Sequence, residues 1–188
     1  MARSASDQPP PREPESEPDA LSVLARDHQL VEDLFAEFQR SAPQQLDPLA
    51  RRICKMLRVH TQIEEELFYP TARRALENDA LIDGAEREHA EARDSIARVE
   101  SMTSDHPQFR SAVEALCQQV TRHMCAEEQE LFEQLRNSKL DLLALGIALA
   151  ERRDTLLEVL GLHGDDEEGA ANQRETHPAA SAEKRPRS

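Results

Sequence analysis

Tryptophan is absent from this chain, tyrosine occurs once, and aromatic residues make up only 3% of the 188 positions. Glycine is almost as scarce, at 5 residues. β-Sandwiches and barrels draw on β-branched and aromatic residues and on turn glycines, so this composition argues against an all-β fold. No run of 18 apolar residues occurs, so the sequence offers no membrane span and no membrane partner is expected. The first residues carry no apolar stretch of the kind a secretory signal needs, and none is expected. Basic residues are outnumbered, 23 Lys and Arg against 37 Asp and Glu, for a net charge of −14. A nucleic-acid binder needs a basic face, so that class is disfavoured. Cysteine is limited to Cys54, Cys117 and Cys125. An odd number without an export signal reads most simply as free thiols in a reducing cytoplasm.

What the chain does contain is charge and helical periodicity. Residues 1–18 hold five prolines and no large apolar residue beyond Met1. They cannot bury enough surface to offset ordering entropy, so a disordered tail is expected there. A second disordered tail is expected over 162–188, where the run Asp165-Asp166-Glu167-Glu168 reads as solvated. Between them, 19–161 is long enough for one core. Punctuation divides it into five segments. The first runs from Asp19 to about Ser41. The second runs from Asp47-Pro48 to Tyr69-Pro70, with a kinked continuation to Leu76. The third spans about Asp79 to Met102, and the fourth Asp105 to about Asn137. The fifth, Leu140–Leu160, closes at Gly161, a plausible residue just past a helix end.

Apolar residues recur at steps of three and four in the first four segments, which is the seam of a packed helix. Short connections make such helices antiparallel neighbours. The expected architecture is all-α, an up-down-up-down four-helix bundle with an additional C-terminal helix. Each seam has a gap, and each gap holds a histidine. Leu21, Leu24, Val31, Phe35 and Phe38 are completed by His28. Leu49, Ile53, Met56 and Leu67 are completed by His60 and Glu64. Ile82, Ala85, Ala92, Ile96 and Val99 are completed by His89. Phe109, Val113, Leu116, Val120 and Leu131 are completed by His123 and Glu127. Four imidazoles and two carboxylates inside a bundle need partners. Mutual hydrogen bonds could serve, but a metal takes lone pairs from all six. His60-x-x-x-Glu64 and His123-x-x-x-Glu127 each point to one side of a helix. A mixed imidazole and carboxylate cage suits iron, manganese or zinc. Six donors exceed one tetrahedral zinc and suit two ions bridged by the glutamates.

RDHQLVEDLF around His28, HTQIEEELFYP from His60, EREHAEAR around His89 and HMCAEEQELF from His123 resemble the hemerythrin-like HHE cation-binding family, over about Leu21 to Leu135. The resemblance implies a bundle holding an oxo- or hydroxo-bridged centre of two iron ions, with manganese or zinc as less favoured occupants. It implies His28, His60, Glu64, His89, His123 and Glu127 as metal ligands, and a small diatomic ligand or peroxide as partner. Oxygen-carrying members have a further histidine four residues after the third-helix one. Here that position is Arg93, which has no lone pair to give. The pattern H…HxxxE…HxxxR…HxxxE resembles a bacterial subgroup instead. Arg93 is expected to pair with a ligating glutamate from outside the cage. Glu86, three residues before His89, is an additional candidate ligand, though a solvated face residue is the plainer reading. Phe68 and Leu131, each four residues after a bridging glutamate, are expected to line an apolar pocket. Tyr69 is expected in ordinary packing, and Glu65 and Glu128 at the solvent face. The function implied is binding of, or reaction with, O₂, peroxide or nitric oxide, with catalytic residues unassigned and turnover undecided. The alternatives are an iron- or oxygen-sensing or iron-storage protein without turnover, and a metal-free helical interaction module.

Overall fold

The computed structural model describes residues 18–76 and 78–162. The tails expected over 1–18 and 162–188 lie outside the described residues, apart from Pro18 and Leu162. Among the described residues every regular element is helical. Helix α1 is Ala20–Arg40, opened by the Asp19 carboxylate, which accepts from Ser22 N at 2.8 Å. A short 3₁₀ turn, Pro43–Gln45, leads into α2, Leu46–Ile63. Helix α2 runs through a π-helical turn, Glu64–Phe68, into α3, Tyr69–Ala75. Helix α4 is Asp79–Glu100. Helix α5, Phe109–Ala126, passes through a second π-helical turn, Glu127–Leu131, into α6, Phe132–Arg136. Helix α7 is Leu142–Val159. The four long rods form the up-down-up-down bundle, and α7 packs across α1, α2 and the first π turn. No described helix is long and apolar enough to cross a membrane.

The seams read from the sequence are the buried faces. On α1 the whole series from Leu21 to Phe38, His28 included, is at most 4% exposed. On the second rod the seam holds as far as Glu64 and then changes register: Phe68, Tyr69 and Ala72 are buried while Leu67 is only half-buried. The break expected at Pro70 is therefore a widened turn just upstream. Pro70 has no N–H to return to the preceding turn, and Tyr69 N–H reaches back five residues to Glu64 O. In the second π turn Phe132 N–H makes the same reach to Glu127 O without a proline.

Helix α7 is tied down at both ends. Asp141 accepts from Ala144 N at 3.0 Å at its start. At its end Gly161 takes φ 66°, with Gly161 N–H bonded to Glu158 O and Leu162 N–H to Leu157 O. This is a Schellman closure, and Leu162 is buried beside it. Midway, Gly146 lets α7 cross the start of α1. A Cβ there would lie 2.4 Å from Pro18 O and 2.6 Å from Asp19 C. Alanine normally favours a helix over glycine by about 1 kcal/mol. At this crossing Gly146→Ala must push backbone apart, and a net loss of roughly 1–3 kcal/mol is expected in thermal or urea melts. An unchanged or raised midpoint would show that α7 does not seat on α1 this closely.

Candidate metal centre

The structure brings all six seam donors together. His28, His60, Glu64, His89, His123 and Glu127 are between 0% and 8% exposed. Their inward atoms form two adjoining groups. Those of His28, His60, Glu64 and Glu127 lie within 4.8 Å of one another, as do those of Glu64, His89 and His123. Glu64 belongs to both.

Three of the four imidazoles have a carboxylate hydrogen-bonded to the outer nitrogen. His28 Nδ1 donates to Glu128 Oε1 at 2.6 Å, His89 Nδ1 to Glu65 Oε1 at 3.1 Å, and His123 Nδ1 to Glu88 Oε2 at 2.8 Å. His60 Nδ1 faces Asp27 Oδ2 at 3.9 Å, beyond hydrogen-bond reach, and neither atom has another hydrogen-bond partner among the described residues. Asp27 is itself buried and accepts from Arg153 Nε of α7 at 2.6 Å. A carboxylate behind Nδ1 fixes the tautomer and turns the Nε2 lone pair inward.

Apart from His89 Nε2, which the Tyr69 hydroxyl reaches at 3.1 Å, these lone pairs are left without a hydrogen bond from a protein donor outside the cluster. His28 Nε2, His60 Nε2 and both oxygens of Glu64 and of Glu127 are buried and make no hydrogen bond. His89 Nε2 and His123 Nε2 sit 3.0 Å apart, so two acceptors face each other once both Nδ1 hydrogens are spent on glutamates. Burying such atoms unpaired is costly, and a cation is the group that satisfies nitrogen and carboxylate lone pairs together. The donor set therefore fits metal ions in both groups.

Electrostatics without a cation show the same mismatch. Burial pushes His60 down to about 4, and burial likewise lowers His89 and His123. Burial also opposes the charge on His28, but Glu127 outweighs it and holds that imidazole at about 9. Burial, then Glu127, raises Glu64 well above the usual carboxylate range. Burial works in the same direction on Glu127, yet His28 and His123 bring it down to about 2. His60 has a folded pKa below its unfolded value of 6.5. Its contribution is complete above that value and is lost as pH falls from there toward 4. His89 and His123 have the same sign, whereas His28 and Glu64, both raised, have the opposite one and contribute more as pH falls. Between pH 7 and pH 5 the His60 term alone is expected to cost the chelator-treated protein about 2 kcal/mol, against which His28 and Glu64 work. Melting curves of wild type and His60→Asn across that range check this, and the same pH slope in both would contradict a buried neutral His60.

The other residues singled out by the sequence divide into those at the cluster and those away from it. Phe68 and Leu131 are buried beside the cluster, and Phe68 meets Phe132 edge-on at 5.9 Å. Glu86 is not brought in: it is exposed and pairs with Arg73 at 3.2 Å. Arg93 pairs with Glu65 rather than with a seam glutamate, and the Glu65 oxygen it touches is the one that accepts from His89 Nδ1. It acts on the cluster through Glu65.

Tyr69 corrects the reading of ordinary packing. It is fully buried, and its hydroxyl lies 3.1 Å from His89 Nε2. A straight helix would place it opposite His60, but the extra residue in the π turn rotates the downstream residues by about 100°. Glu128 is exposed and Glu65 half-buried, as a solvent face requires, but each also follows a seam glutamate and bonds a histidine on another helix. The two π turns are related: Glu64, Glu65 and Tyr69 correspond to Glu127, Glu128 and Phe132 by distance from their histidines. Phe132 stacks on His28 at 5.9 Å, as Tyr69 sits on His89. Asp27, Glu88 and Arg153 were also unforeseen.

The sequence model of the hemerythrin HHE cation-binding domain matches residues 19–135. A protein of Nostoc sp. described as a DNA nickase is 31% identical over 120 residues, which is 62% of this chain and 33% of that protein. The chain thus spans about a third of that relative's length. The crystal structure of a hemerythrin HHE cation-binding domain-containing protein from Mycobacterium kansasii superposes with a TM-score of 0.66 at 19% identity, covering 86% of this chain and 96% of that one. The likeness is one of fold.

Proposed function

The chain belongs to the hemerythrin HHE cation-binding family and carries a buried His/Glu metal-binding cluster, and on that premise we propose that it is a non-haem diiron protein that binds or reacts with O₂, peroxide or nitric oxide. The observation that carries this reading is the sharing of Glu64 between two donor groups, with its oxygens and those of Glu127 making no hydrogen bond and only the cluster's own imidazoles beside them. His28, His60, Glu64 and Glu127 would hold one ion. Glu64, His89 and His123 would hold the other, with the Tyr69 hydroxyl as a further donor on that side.

The second position has fewer side-chain donors, and Arg93 stands where oxygen carriers place an imidazole. That leaves room for a small ligand beside His123. Two irons would supply electron transfer and Lewis acidity toward O₂, peroxide or nitric oxide. The chain's own residues orient and protect. Glu65, Glu88 and Glu128 hold the imidazoles in one tautomer, Phe68, Leu131 and Phe132 keep water away, and Tyr69 can donate a proton to an acceptor near His89.

Protein purified from iron-replete cells is expected to carry about two irons per chain, with near-ultraviolet bands that shift on adding azide or peroxide. Chelation is expected to lower the melting temperature, since ions bound only to the folded chain stabilise it. Metal-free protein that refuses anaerobic ferrous loading would overturn the reading. Many peroxide turnovers per chain would make it an enzyme, and a single stoichiometric spectral change a binder or sensor.

A further inference from the structure

The cluster is walled off unequally. Phe132 and Glu128 cover His28, Asp27 and Arg153 back His60, and Tyr69 with Glu65 and Arg93 closes over His89. His123 is the most accessible of the four imidazoles, 8% exposed against 1–3% for the others. A cleft of about 170 Å³ between α4 and the α5 rod leads to it, lined by Gly84, Ala85 and Glu88 on one side and His123, Glu127 and Leu131 on the other. Glu127 is 4% exposed, lines this cleft, and has both oxygens without a hydrogen-bond partner.

We propose that this cleft is the port through which cations and small ligands reach the buried centre, and that Gly84 sets its bore. The inference rests on the diiron reading and adds the route. Small residues at 84 and 85 keep α4 low over the cleft, where a larger side chain would stand across it. Glu88 at the rim is a carboxylate that a cation meets first and is also the group that orients His123. Leu131 keeps the inner end apolar, which suits a diatomic or a short linear anion.

Gly84 is well suited to a test. A Cβ there meets only the far end of Arg87, at 3.9 Å, and replacing glycine inside a helix raises its helix propensity. Gly84→Leu should fold and melt no lower than wild type while its side chain fills the port. The experiment is anaerobic ferrous uptake by the metal-free full chain, followed in rate and end point, then the rate of azide binding to the loaded protein. Gly84→Leu is expected to slow both rates by about tenfold or more, with Gly84→Ala intermediate and the final iron content unchanged. Metal-free chain is also treated with diethyl pyrocarbonate, and Gly84→Leu should protect His123 while exposed His106 reacts as before. Wild-type rates of uptake, azide binding and His123 modification in Gly84→Leu overturn the port and leave the diiron site standing. Failure of the wild-type chain to take up iron overturns the diiron reading, and His123 protection still decides whether the cleft is the way in.

Discussion

Glu64→Leu is expected to make the metal-free protein more stable and to abolish metal binding in the same molecule. Glu64 is fully buried at the junction of the two donor groups, and neither of its oxygens has a hydrogen-bond partner. Burial, then Glu127, raises it well above the usual carboxylate range, so the metal-free fold carries it at a cost. Leucine of similar volume removes that cost, and replacing buried ionic groups by apolar ones gains on the order of 1–4 kcal/mol in favourable cases. With metal present the sign is expected to reverse, because both donor groups lose the carboxylate they share. His123→Leu, by contrast, removes a donor from one group only. Urea melts of chelator-treated protein, read beside metal content, separate these cases. A less stable metal-free Glu64→Leu would mean that the carboxylate is satisfied by the protein itself.

Arg153→Met should be the most damaging change outside the cluster. Asp27 is 2% exposed, and Arg153 Nε–H reaches it from α7 at 2.6 Å. Burial works against the Asp27 charge, but His60 and Arg153 hold its pKa below the ordinary value. Methionine keeps much of the apolar stem and leaves the carboxylate without its guanidinium. Breaking a buried pair from one side costs about 3–5 kcal/mol. The double change Asp27→Asn with Arg153→Met should restore part of that loss, which a double-mutant cycle measures. Additive single effects would show that the pair does not couple.

Much of this centre was legible in the sequence because helical periodicity places residues by number alone. His28, His60, His89 and His123 could be set on one inner surface without knowing any rotamer. The carboxylates behind them could not. Glu65, Glu128 and Glu88 are exposed or half-buried residues whose side chains reach sideways to a histidine on another helix, and period counting assigns them to solvent. A signal was present in the paired glutamates at 64–65 and 127–128, each four and five residues after a histidine. Asp27 sits beside His28 and is buried only because α7 supplies Arg153, 126 positions later. Tyr69 was misplaced for a different reason. Counting from His60 assumes a regular helix, and the turn at Glu64–Phe68 is not one. The C-terminal helix was foreseen as an element, but its hold on Asp27, and through Arg152 on Glu66 at 2.6 Å, was not.

Each π turn is one residue longer than a regular helix needs to cover the same rise. Substitution can change what a side chain does there, but only a change in chain length can alter which way the downstream residues face. Deleting one residue between Glu64 and Phe68 would remove the extra residue of the turn and swing Tyr69 and Pro70 round by about 100°. The centre is thus encoded in spacing as well as in residue identity, and a single-codon deletion that spares every donor would still dismantle one side of it.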